Sequence, residues 1–482
     1  MWLNNMSLIS QMSVLYNYVN IFSLGLFFFM IAISMIVNSF ITNLRFLYFT
    51  SFFFWTFLLL VFTICIFSFY KFYVSYNFFI LSYYNYFNIN NLPINNLFGD
   101  TLNCLCLLTT IISWVYLSER YLFKSNVNVF YFYIFICCTF QMTSTNDLFV
   151  MFIYFELLFL PSLFFVYHLG YSKKVDVTVS FLLKWTLSGS FLCLLGFCYF
   201  FFINGSFLID SNDFIKLSFS EKFALLWIFF LGFGVKLPIW PFYYWLTKVH
   251  VEAPTGFSIF LSGFLVKTAF FCFSYLFLLF NTELSNSIMI SFCIWGILDA
   301  SIRMWTSTDI KRLIAFATIQ EMNLIVLLLF ILDANSYGIL NCFLLVHGVL
   351  SSFFFYLVDQ VQKQNYTRNS TLLSGLSIIL PTLTFLIWWA VLIFRGFPTF
   401  IKFLIEWDLL LSFIASFKLL GFFCFFFICF FSVLGFCRVW FIVLYGAPKT
   451  VLLHKLMLLR DYIFGFGLGF ILFILNFILF LF

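Results

Sequence analysis

Several ionisable side chains of this sequence lie inside long apolar stretches. A charge is energetically costly there, and an ionisable group in such a position is suited to proton transfer. A charged residue near the centre of a bilayer costs at least ~2.5–3.5 kcal/mol on insertion scales, so it is by default a functional candidate. The candidates of this kind are Glu156, Lys184, Lys236, Lys267, Glu321, His347, Asp359 and Glu406.

Glu156 and Lys236 carry the strongest local signals for a switchable pair. No other charged residue stands in the stretch 150–161 around Glu156, so its partner must come from another helix. Lys236 lies two residues before Pro238, directly before a helix break where freed carbonyls and water can approach it. If the two residues meet, they form a coupled pair that can switch, as a proton relay requires. The alternative is a static buried ion pair that holds two helices together.

The other candidates are weaker when each is judged by its own surroundings. His347, followed by Gly348, suits a proton path, but a histidine bonded to a hydroxyl of a neighbouring helix fits the same sequence equally well. Asp359 and Lys184 fall close enough to helix ends for water or lipid headgroups to solvate them. Glu321 is either a carboxylate held in a permanent pair or a proton relay, and we expect it to face inwards and to meet water.

The composition excludes a water-soluble fold. The 482 residues are 64% hydrophobic and 9% charged, against roughly 25% charged residues in an average soluble domain. Within lipid only helices and closed barrels satisfy the backbone, and these apolar stretches are too long and continuous for the alternating strands of a barrel. Because a spanning helix needs about 20 residues, the length predicts an all-α polytopic membrane protein of about 14 transmembrane helices.

The apolar stretches between polar segments place these helices along the chain. The predicted helices lie near 19–40, 46–70, 100–118, 127–143, 147–168, 176–203, 221–248, 254–281, 286–302, 309–332, 336–360, 373–411, 419–444 and 460–481. Lys and Arg concentrate in alternate loops, as the positive-inside rule requires, which favours an even helix count with both termini on the less basic side. The charges at one helix start, Asp309, Lys311 and Arg312, are interpreted as part of this topology.

Two of the predicted helices contain prolines that should break them. The helix 221–248 contains Pro238 and Pro241, and the helix 373–411 contains two prolines as well. Proline removes a hydrogen bond of the helix and clashes with the preceding turn, and such a break at membrane depth must face protein or water. Paired broken helices in the two halves of a chain are typical of inverted-repeat transporters.

The 13 cysteines do not indicate a metal centre. They sit inside apolar stretches without the paired CxxC spacing of metal sites, and they are interpreted as small buried hydrophobes. We therefore predict no iron–sulfur cluster, haem or zinc in this chain.

The stretch from Gly234 to Pro254 is similar to the hallmark of the antiporter-like, proton-translocating subunits of respiratory complex I, the NADH:ubiquinone oxidoreductase. It contains Lys236 and ends with His250-Val-Glu-Ala-Pro254, a variant typical of one subunit type, and Lys267 lies on the next helix as the family's next lysine does. The resemblance covers most of the chain, and its two ends match only in hydropathy. Further segments that follow the family's order are Phe98-Gly99-Asp100 with Leu107-Leu108-Thr109, Asp309-Ile310-Lys311-Arg312, His347-Gly348 with Ser351-Ser352, and Pro398 ahead of Glu406.

This resemblance implies a fold of 14 helices with two inverted five-helix repeats, each with a broken helix. It also implies that this subunit has no redox centre. The domains expected on this basis are N-terminal helices in 1–126, the first repeat in 127–281, the second repeat in 286–444 and a C-terminal helix in 445–482.

The resemblance also implies roles for the buried charges. Glu156 is expected to be the modulating carboxylate and Lys236 the lysine that it controls, while Lys267 relays protons onward and Glu406 is the titratable group on the exit side. The secondary relay candidates are Glu321, His347, Lys184 and His250. Glu321 departs from the family, which usually has a histidine or a neutral polar residue at that position.

Cofactors, partners and location follow from the same resemblance. The chain itself is expected to bind no cofactor, because NADH, ubiquinone, FMN and iron–sulfur clusters belong to other subunits of the complex. The expected partners are other membrane-arm subunits of complex I, including sister antiporter-like subunits, together with membrane lipid, and no nucleic acid. The 82 Phe and 25 Tyr residues indicate an A+T-rich gene, and the first basic residue is Arg45, so no import signal is expected. These features favour a gene translated inside an organelle and a multi-pass protein of the mitochondrial inner membrane.

Two other functions fit part of the sequence. A stand-alone cation/proton antiporter, or a subunit of a multi-subunit one, would use the same relay. A purely structural membrane scaffold leaves the buried charges unexplained. The organelle-like composition and the sequence His250-Val-Glu-Ala-Pro254 favour the respiratory complex.

Lys174 and Lys363 test the helix layout. Both lie in the basic set of loops, so both should face the mitochondrial matrix, with the two termini in the intermembrane space. Cysteine substitution at each position, followed by labelling with a membrane-impermeant reagent in intact and inverted membranes, measures this. Lys174 and Lys363 on opposite sides would contradict the predicted layout.

Overall fold

The computed structural model describes the greater part of the chain. The described residues are 99–110, 112–113, 125–145, 147–170, 175–207, 217–280, 287–331, 337–398, 400–447, 464–473 and 475. All of them belong to one unit of the chain, Cys65–Phe482. The predicted helices at 19–40 and 46–70 lie outside the described residues.

The described residues form helices and no β-strand. Seven helices in this part of the chain are long and apolar enough to cross a membrane, which confirms an all-α membrane fold. Residues 99–110 are also helical. The helices are α1 (Ser125–Ser144), α2 (Leu148–Leu169), α3 (Val175–Asn204), α4 (Phe219–Lys236), α5 (Tyr244–Glu252), α6 (Thr255–Phe280), α7 (Ser287–Thr306), α8 (Ile310–Ile331), α9 (Tyr337–Asn365), α10 (Leu376–Ile379), α11 (Pro381–Phe394), α12 (Ile401–Leu444) and α13 (Phe464–Phe473).

Side-chain caps fix where some of these helices begin. At the start of α2, the Asp147 carboxylate accepts hydrogen bonds from the amides of Phe149 (2.8 Å) and Val150 (3.2 Å). At the start of α4, the Glu221 carboxylate accepts bonds from the amide (2.8 Å) and the hydroxyl (2.7 Å) of Ser218. Such caps satisfy polar groups that have no partner within the helix, so uniformly apolar segments still begin at defined residues.

The first broken helix has the interruption that its prolines predict. Residues 237–243 separate α4 from α5, so the single helix predicted here is two helices. The indole of Trp245 donates to the Val235 carbonyl (2.7 Å), and the amide of Asn323 donates to the Pro238 carbonyl (3.2 Å). Protein groups therefore satisfy carbonyls that the break releases, as an apolar surrounding requires.

The second predicted helix is interrupted near both of its prolines. Pro381 is the first residue of α11, where a missing amide removes no helical bond, and the non-helical Leu380 before it (φ −134°, ψ 69°) separates α11 from the short helix α10. The wider interruption, the second break, comes later in the chain. The break lies at 395–400, between α11 and α12, where Gly396 has a φ of 62°, a conformation that favours glycine. The predicted helix 373–411 therefore comprises α10, α11 and the first part of α12.

The chain reverses direction within α12, at Lys418. The backbone there (φ 52°, ψ −130°) is not helical, and a Cβ on Gly421 would lie 2.1 Å from the Phe413 carbonyl oxygen. Positions eight residues apart are about 12 Å apart along a continuous helix, so this contact requires the chain to fold back. α12 is therefore two helices in space, which agrees with the predicted separation of 373–411 from 419–444.

The interior of the described unit is built from α6, α8 and α9. Almost every side chain of α8 is buried, and α6 and α9 are similar, whereas α3 is mostly exposed. The outward face of α3 presents Leu187, Phe191 and Phe202. Apolar faces of this kind suit contact with lipid or with another membrane subunit. Half of the candidate charges, Lys267, Glu321, His347 and Asp359, lie on these interior helices.

The described cysteines agree with the prediction in part, because Cys198 is exposed and Cys104 is not free. Cys106, Cys193, Cys272 and Cys293 are free and buried. Cys104 forms a disulfide, so its interpretation as a small buried hydrophobe is wrong.

The contact between α3 and α4 depends on glycine. A Cβ on Gly232 would lie 2.6 Å from the sulfur and 2.9 Å from the amide nitrogen of Cys193. A Cβ on Gly189 would lie 2.8 Å from the Gly232 carbonyl oxygen. Small residues allow membrane helices to approach this closely.

We expect Gly232→Val to separate α3 from α4 and to reduce the amount of folded protein sharply. Gly469→Ala is the control, because its added methyl meets only ordinary contacts of 3.6 and 3.8 Å, and it should leave the amount unchanged. Immunoblotting after native electrophoresis of membranes measures both variants. Equal amounts of Gly232→Val and wild-type protein would show that this contact is not needed.

Candidate functional site

Glu156 and Lys236 form an ion pair between α2 and α4. The Lys236 Nζ lies 2.7 Å from the Glu156 Oε1. The lysine side chain is fully buried, whereas 29% of the glutamate side chain is exposed. The ammonium also lies 4.1 Å from the ring centroids of both Phe155 and Phe159, where cation–π attraction adds to the ion pair. The partner of Glu156 thus comes from another helix, as expected.

The surroundings make this pair sensitive to any change of charge. The two phenylalanine rings offer no hydrogen-bonding group that could replace the carboxylate. In such an environment the attraction between the two charges is set against the cost of their desolvation, and loss of one partner leaves the other uncompensated. A change in the protonation of Glu156 therefore alters the electrostatic energy of Lys236 directly.

Lys267 lies on α6, just after a turn of π-helix at Leu261–Leu265. Its ammonium donates to the Ser262 carbonyl within that turn. Among the described residues, Lys267 has no carboxylate within ion-pair distance. Single π-helical turns occur frequently at functional sites, and here the turn supplies the acceptor for a buried lysine that lacks a counter-ion in this part of the chain.

A cavity adjoins Lys267. It is small, with room for about one water molecule, and is lined by Thr101, Leu102, Leu105, Lys267, Phe270, Phe271 and Leu344. A buried water needs polar partners, and the lysine ammonium and the Thr101 hydroxyl are the polar side-chain groups of this lining. The cavity therefore gives Lys267 room for hydrogen bonds beyond the one to Ser262.

Two buried histidines lie within range of the Lys267 charge. That charge acts on both His250 and His347, and His250 stacks on Phe355 with 4.6 Å between ring centroids. Neither ring nitrogen of either histidine has a hydrogen-bond partner within the part of the chain that the structure describes. The hydroxyl partner considered for His347 is therefore not found there. Both rings remain able to donate to and accept from a water or a neighbouring group.

Two glycines bring α6 and α9 into backbone contact beside these groups. A Cβ on Gly263 would lie 3.2 Å from the Gly348 carbonyl oxygen, and a Cβ on Gly348 would lie 2.9 Å from the Gly263 carbonyl oxygen. Gly263 belongs to the π-helical turn, and Gly348 follows His347 directly. This close packing places the segment that carries Lys267 against the segment that carries His347.

Glu321, Lys402 and Glu406 form a second charged cluster at the second helix break. The Lys402 Nζ lies 2.5 Å from Glu321 Oε1 and 3.8 Å from Glu406 Oε1. It also donates to the carbonyl of Phe394, the last residue of α11. Glu321 faces inwards as predicted. It is not open to water, however, because 3% of its side chain is exposed and its partner is a lysine.

Lys402 was not among the sequence candidates, although it joins Glu321 to Glu406. One signal was present, since Lys402 lies one helical turn before Glu406 and near the start of the half-helix that follows Pro398. Lysine and glutamate four residues apart are also common on solvated helix surfaces. The spacing therefore did not distinguish a buried pair from a surface one.

The second break leaves room for the Glu406 carboxylate. A Cβ on Gly396 would lie 2.8 Å from Glu406 Oε2. The neighbouring Arg395 donates to the Ser432 hydroxyl (3.3 Å), lies 4.7 Å from the ring centroid of Phe436, and acts electrostatically on Glu406. Glu406 thus responds to two cations, one at each side of the break.

Two interpretations of charged residues are corrected by the structure. Asp359 is buried and pairs with Lys363 at 3.2 Å, so it is not a solvated residue at a helix end. Lys311 is buried and donates to the Ala253 carbonyl (2.6 Å), so it has a structural role beyond topology. Lys184 is exposed on α3 and is not part of the buried series.

The described residues supply a series of proton-binding groups. Within these residues, no three His, Cys, Asp or Glu side chains are grouped to hold a metal ion. Ionisable groups buried in apolar helices mark proton relays when water can bridge them. The series consists of Glu156, Lys236, Lys267, His347, Glu321, Lys402 and Glu406.

The family of the chain follows from the fold and from its sequence. Residues 145–434 match the family described as NADH:quinone oxidoreductase/Mrp antiporter, TM. A chain of respiratory complex I from Thermus thermophilus has a similar fold, with a TM-score of 0.67 and 20% identity over 78% of this chain and 81% of that chain. A chain of the Mrp complex from a Dietzia species has a TM-score of 0.64 and 16% identity over 72% and 67%. The chain therefore belongs to this antiporter-like transmembrane family.

Relatives place the chain more narrowly within that family. A protein from Paramecium tetraurelia is 34% identical over 73% of this chain and 75% of its own length. A protein from Arbacia lixula is 30% identical over 53% of this chain and 57% of its own length. Both are named NADH-ubiquinone oxidoreductase chain 4, and this chain is a member of the chain 4 group.

Glu156 is expected to act through its charge. Glu156→Gln leaves Lys236 buried without a counter-ion, a change worth about 3–5 kcal/mol for a buried pair, and should lower NADH-driven quinone reduction by roughly tenfold or more. Glu156→Asp keeps the charge and should retain most of the activity. Asp176→Asn, at an exposed carboxylate on α3, is the control for loss of a negative charge. Equal activities of the Gln and Asp variants would show that charge at this position is dispensable.

Proposed function

We propose that this chain is the proton-translocating membrane-arm subunit of NADH:ubiquinone oxidoreductase. It couples NADH oxidation and quinone reduction on other subunits to the movement of protons across the membrane. The observation that carries the proposal is the buried Glu156–Lys236 pair at the first helix break, with a lysine fully removed from solvent and 2.7 Å from its carboxylate. Membership in the chain 4 group supports the same function.

The proposed roles follow the order of groups through the interior. Glu156 modulates Lys236, because the pair is coupled and loss of its negative charge destabilises the ammonium in place. Lys236 passes a proton to Lys267 through water, and Lys267 passes it towards His347. The cluster of Glu321 and Glu406 at the second break completes the path on the exit side. His250, which feels the charge of Lys267, is a secondary relay group.

The proposed architecture has 14 helices with two inverted five-helix repeats. The repeats are 127–281 and 286–444, with N-terminal helices in 1–126 and a C-terminal helix in 445–482. Two features support this division. A helix break lies in each repeat, and beside each break a buried lysine contacts a glutamate of another helix.

The proposed setting is the mitochondrial inner membrane, where the chain is a multi-pass protein. The chain binds no cofactor, and NADH, ubiquinone, FMN and iron–sulfur clusters are held by other subunits of the complex. The partners are other membrane-arm subunits, including sister antiporter-like subunits, and membrane lipid. The exposed apolar face of α3, with Phe202 87% exposed, supports contact with such partners.

A second candidate function is cation/proton exchange by a stand-alone antiporter or by a subunit of a multi-subunit one. The similarity of fold to a chain of the Mrp complex favours it. The same series of buried charges would serve this exchange. The assembly that contains the chain distinguishes the two functions.

Lys236→Met tests the main proposal in the assembled complex. The chain should migrate with NADH-oxidising activity on a native gel, and the variant should assemble but lose NADH-driven proton pumping, because the lysine that carries the proton at the first break is lost. Lys248→Met is the matched control, since Lys248 is exposed on α5, and it should pump normally. Normal pumping by assembled Lys236→Met complex would refute the proposed path. An isolated homo-oligomer that exchanges Na⁺ for protons would support the antiporter.

A further inference from the structure

Lys402 is placed between two carboxylates that belong to different helices. It contacts Glu321 of α8 at 2.5 Å and Glu406 of its own helix at 3.8 Å. All three side chains lie in the protein interior, and Glu406 is the most accessible of them, with 27% of its side chain exposed against 3% for Glu321. A change in side-chain conformation alone would therefore be enough to move the Lys402 ammonium from one carboxylate to the other.

Lys402 is the cation in direct contact with both carboxylates. Within the described residues, no other cation lies within ion-pair distance of either one. Arg395 is a second buried cation whose charge acts on both Glu321 and Glu406 from a longer distance, and one of its guanidinium nitrogens donates to Ser432. A single ammonium cannot directly compensate two ionised carboxylates in an apolar interior, and like charges sharing a site favour proton uptake by one of them.

We infer that Lys402 is a positioning residue whose ammonium alternates between Glu321 and Glu406 and so decides which carboxylate holds a proton. The inference rests on the proposed function, because it describes how a proton leaves the second half of the chain. Among the described residues of the first half, Lys236 contacts one carboxylate, that of Glu156, so the two-carboxylate arrangement is not repeated there.

The exchange conserves both protons and charge. In one state Lys402 pairs with ionised Glu321 while Glu406 carries a proton, and the three groups together are neutral. The ammonium then moves to Glu406, whose carboxyl O–H bond breaks and releases one proton to water at the break. Glu321, left without its partner, takes one proton from the inner side, where Lys267 lies within electrostatic range of Glu321 and His347 lies within range of Lys267. The net result is one proton taken up and one released, with the three groups again neutral.

The local structure permits this movement. The Phe394 carbonyl accepts a hydrogen bond from the ammonium, and a lysine ammonium has three donors on a flexible stem, so it can keep that bond while it changes carboxylates. Gly396 leaves space beside Glu406, where a Cβ would approach Oε2 to 2.8 Å. The oxygen Oε2 of Glu321 has no hydrogen-bond partner among the described residues, which leaves it free to take a proton.

A double substitution separates an exchanging lysine from a static ion pair. Lys402→Gln and Glu321→Gln, each alone, should lower proton pumping by roughly tenfold or more. Lys402→Gln leaves the Glu321 charge buried without its partner, and Glu321→Gln leaves the ammonium with Glu406 as its one carboxylate partner among the described residues. If the pair were static, the double variant Glu321→Gln with Lys402→Gln would remove both charges together and would regain pumping. The inference predicts instead that the double variant assembles and still pumps poorly, since no exchange remains. Lys402→Arg, which keeps the charge, should pump better than Lys402→Gln.

Infrared difference spectra of the purified complex report the protonation of carboxyl groups. A purely structural role of Lys402 would leave these spectra unchanged. Reduction by NADH should change the absorption of protonated carboxyl groups in the wild type, and Glu321→Gln, Glu406→Gln and Lys402→Gln should each remove the same part of that change. Asp408→Asn, two residues beyond Glu406, is the control and should leave the spectrum unchanged. Wild-type pumping by the double variant, or persistence of the Glu406 signal in Lys402→Gln, would overturn the inference. Either result would leave the proposed function intact, because the proposed function is tested separately by the Lys236→Met variant.

Discussion

The cost of holding a charge away from water governs this structure. Burying an ionised group is tolerated only when the protein supplies a counter-charge or a free backbone carbonyl. Each buried lysine of the series has one or the other: Lys236 has Glu156, Lys267 has the Ser262 carbonyl, and Lys402 has both Glu321 and the Phe394 carbonyl. Continuous α-helices offer no spare carbonyls in their interiors, so the helix breaks and the π-helical turn are the features that make these positions possible.

The charged groups at the two helix breaks compensate their buried charges in different ways. At the first break one lysine meets one carboxylate among phenylalanine rings, and that pair is neutral when both groups are ionised. At the second break one lysine meets two carboxylates, with an arginine further away. The Glu321 carboxylate is accompanied by the Lys402 ammonium at 2.5 Å, so the negative charge on one helix is balanced by a positive charge on another.

The features that were predictable from sequence are those with a local cause. Prolines at 238 and 241 disrupt a helix wherever it packs, and the break appeared where they stand. Pro381 likewise marks an interruption, at Leu380, and it occupies the first turn of the helix that follows, where proline is well tolerated. The overall helical, membrane-spanning class followed from composition, which depends on no particular contact.

Contacts between distant segments were harder to predict. Glu156 was expected to have a partner on another helix, and its apolar neighbours said nothing about where in space that partner would lie. Lys402 was overlooked because its spacing from Glu406 is ordinary for a solvated helix, and only the placement of α8 beside α12 gives it a second carboxylate. The burial of Lys311 beneath the Ala253 carbonyl likewise depends on how two loops meet.

The contact between Gly263 and Gly348 has a mechanical consequence. With each glycine against the other's carbonyl oxygen, α6 and α9 have no side-chain layer between them that could deform, and sliding one past the other would drive backbone atoms into collision. The two helices should therefore move as one rigid body during the transport cycle. Displacements that open or close the path are then confined to the half-helices at the breaks and to the long side chains of the lysines.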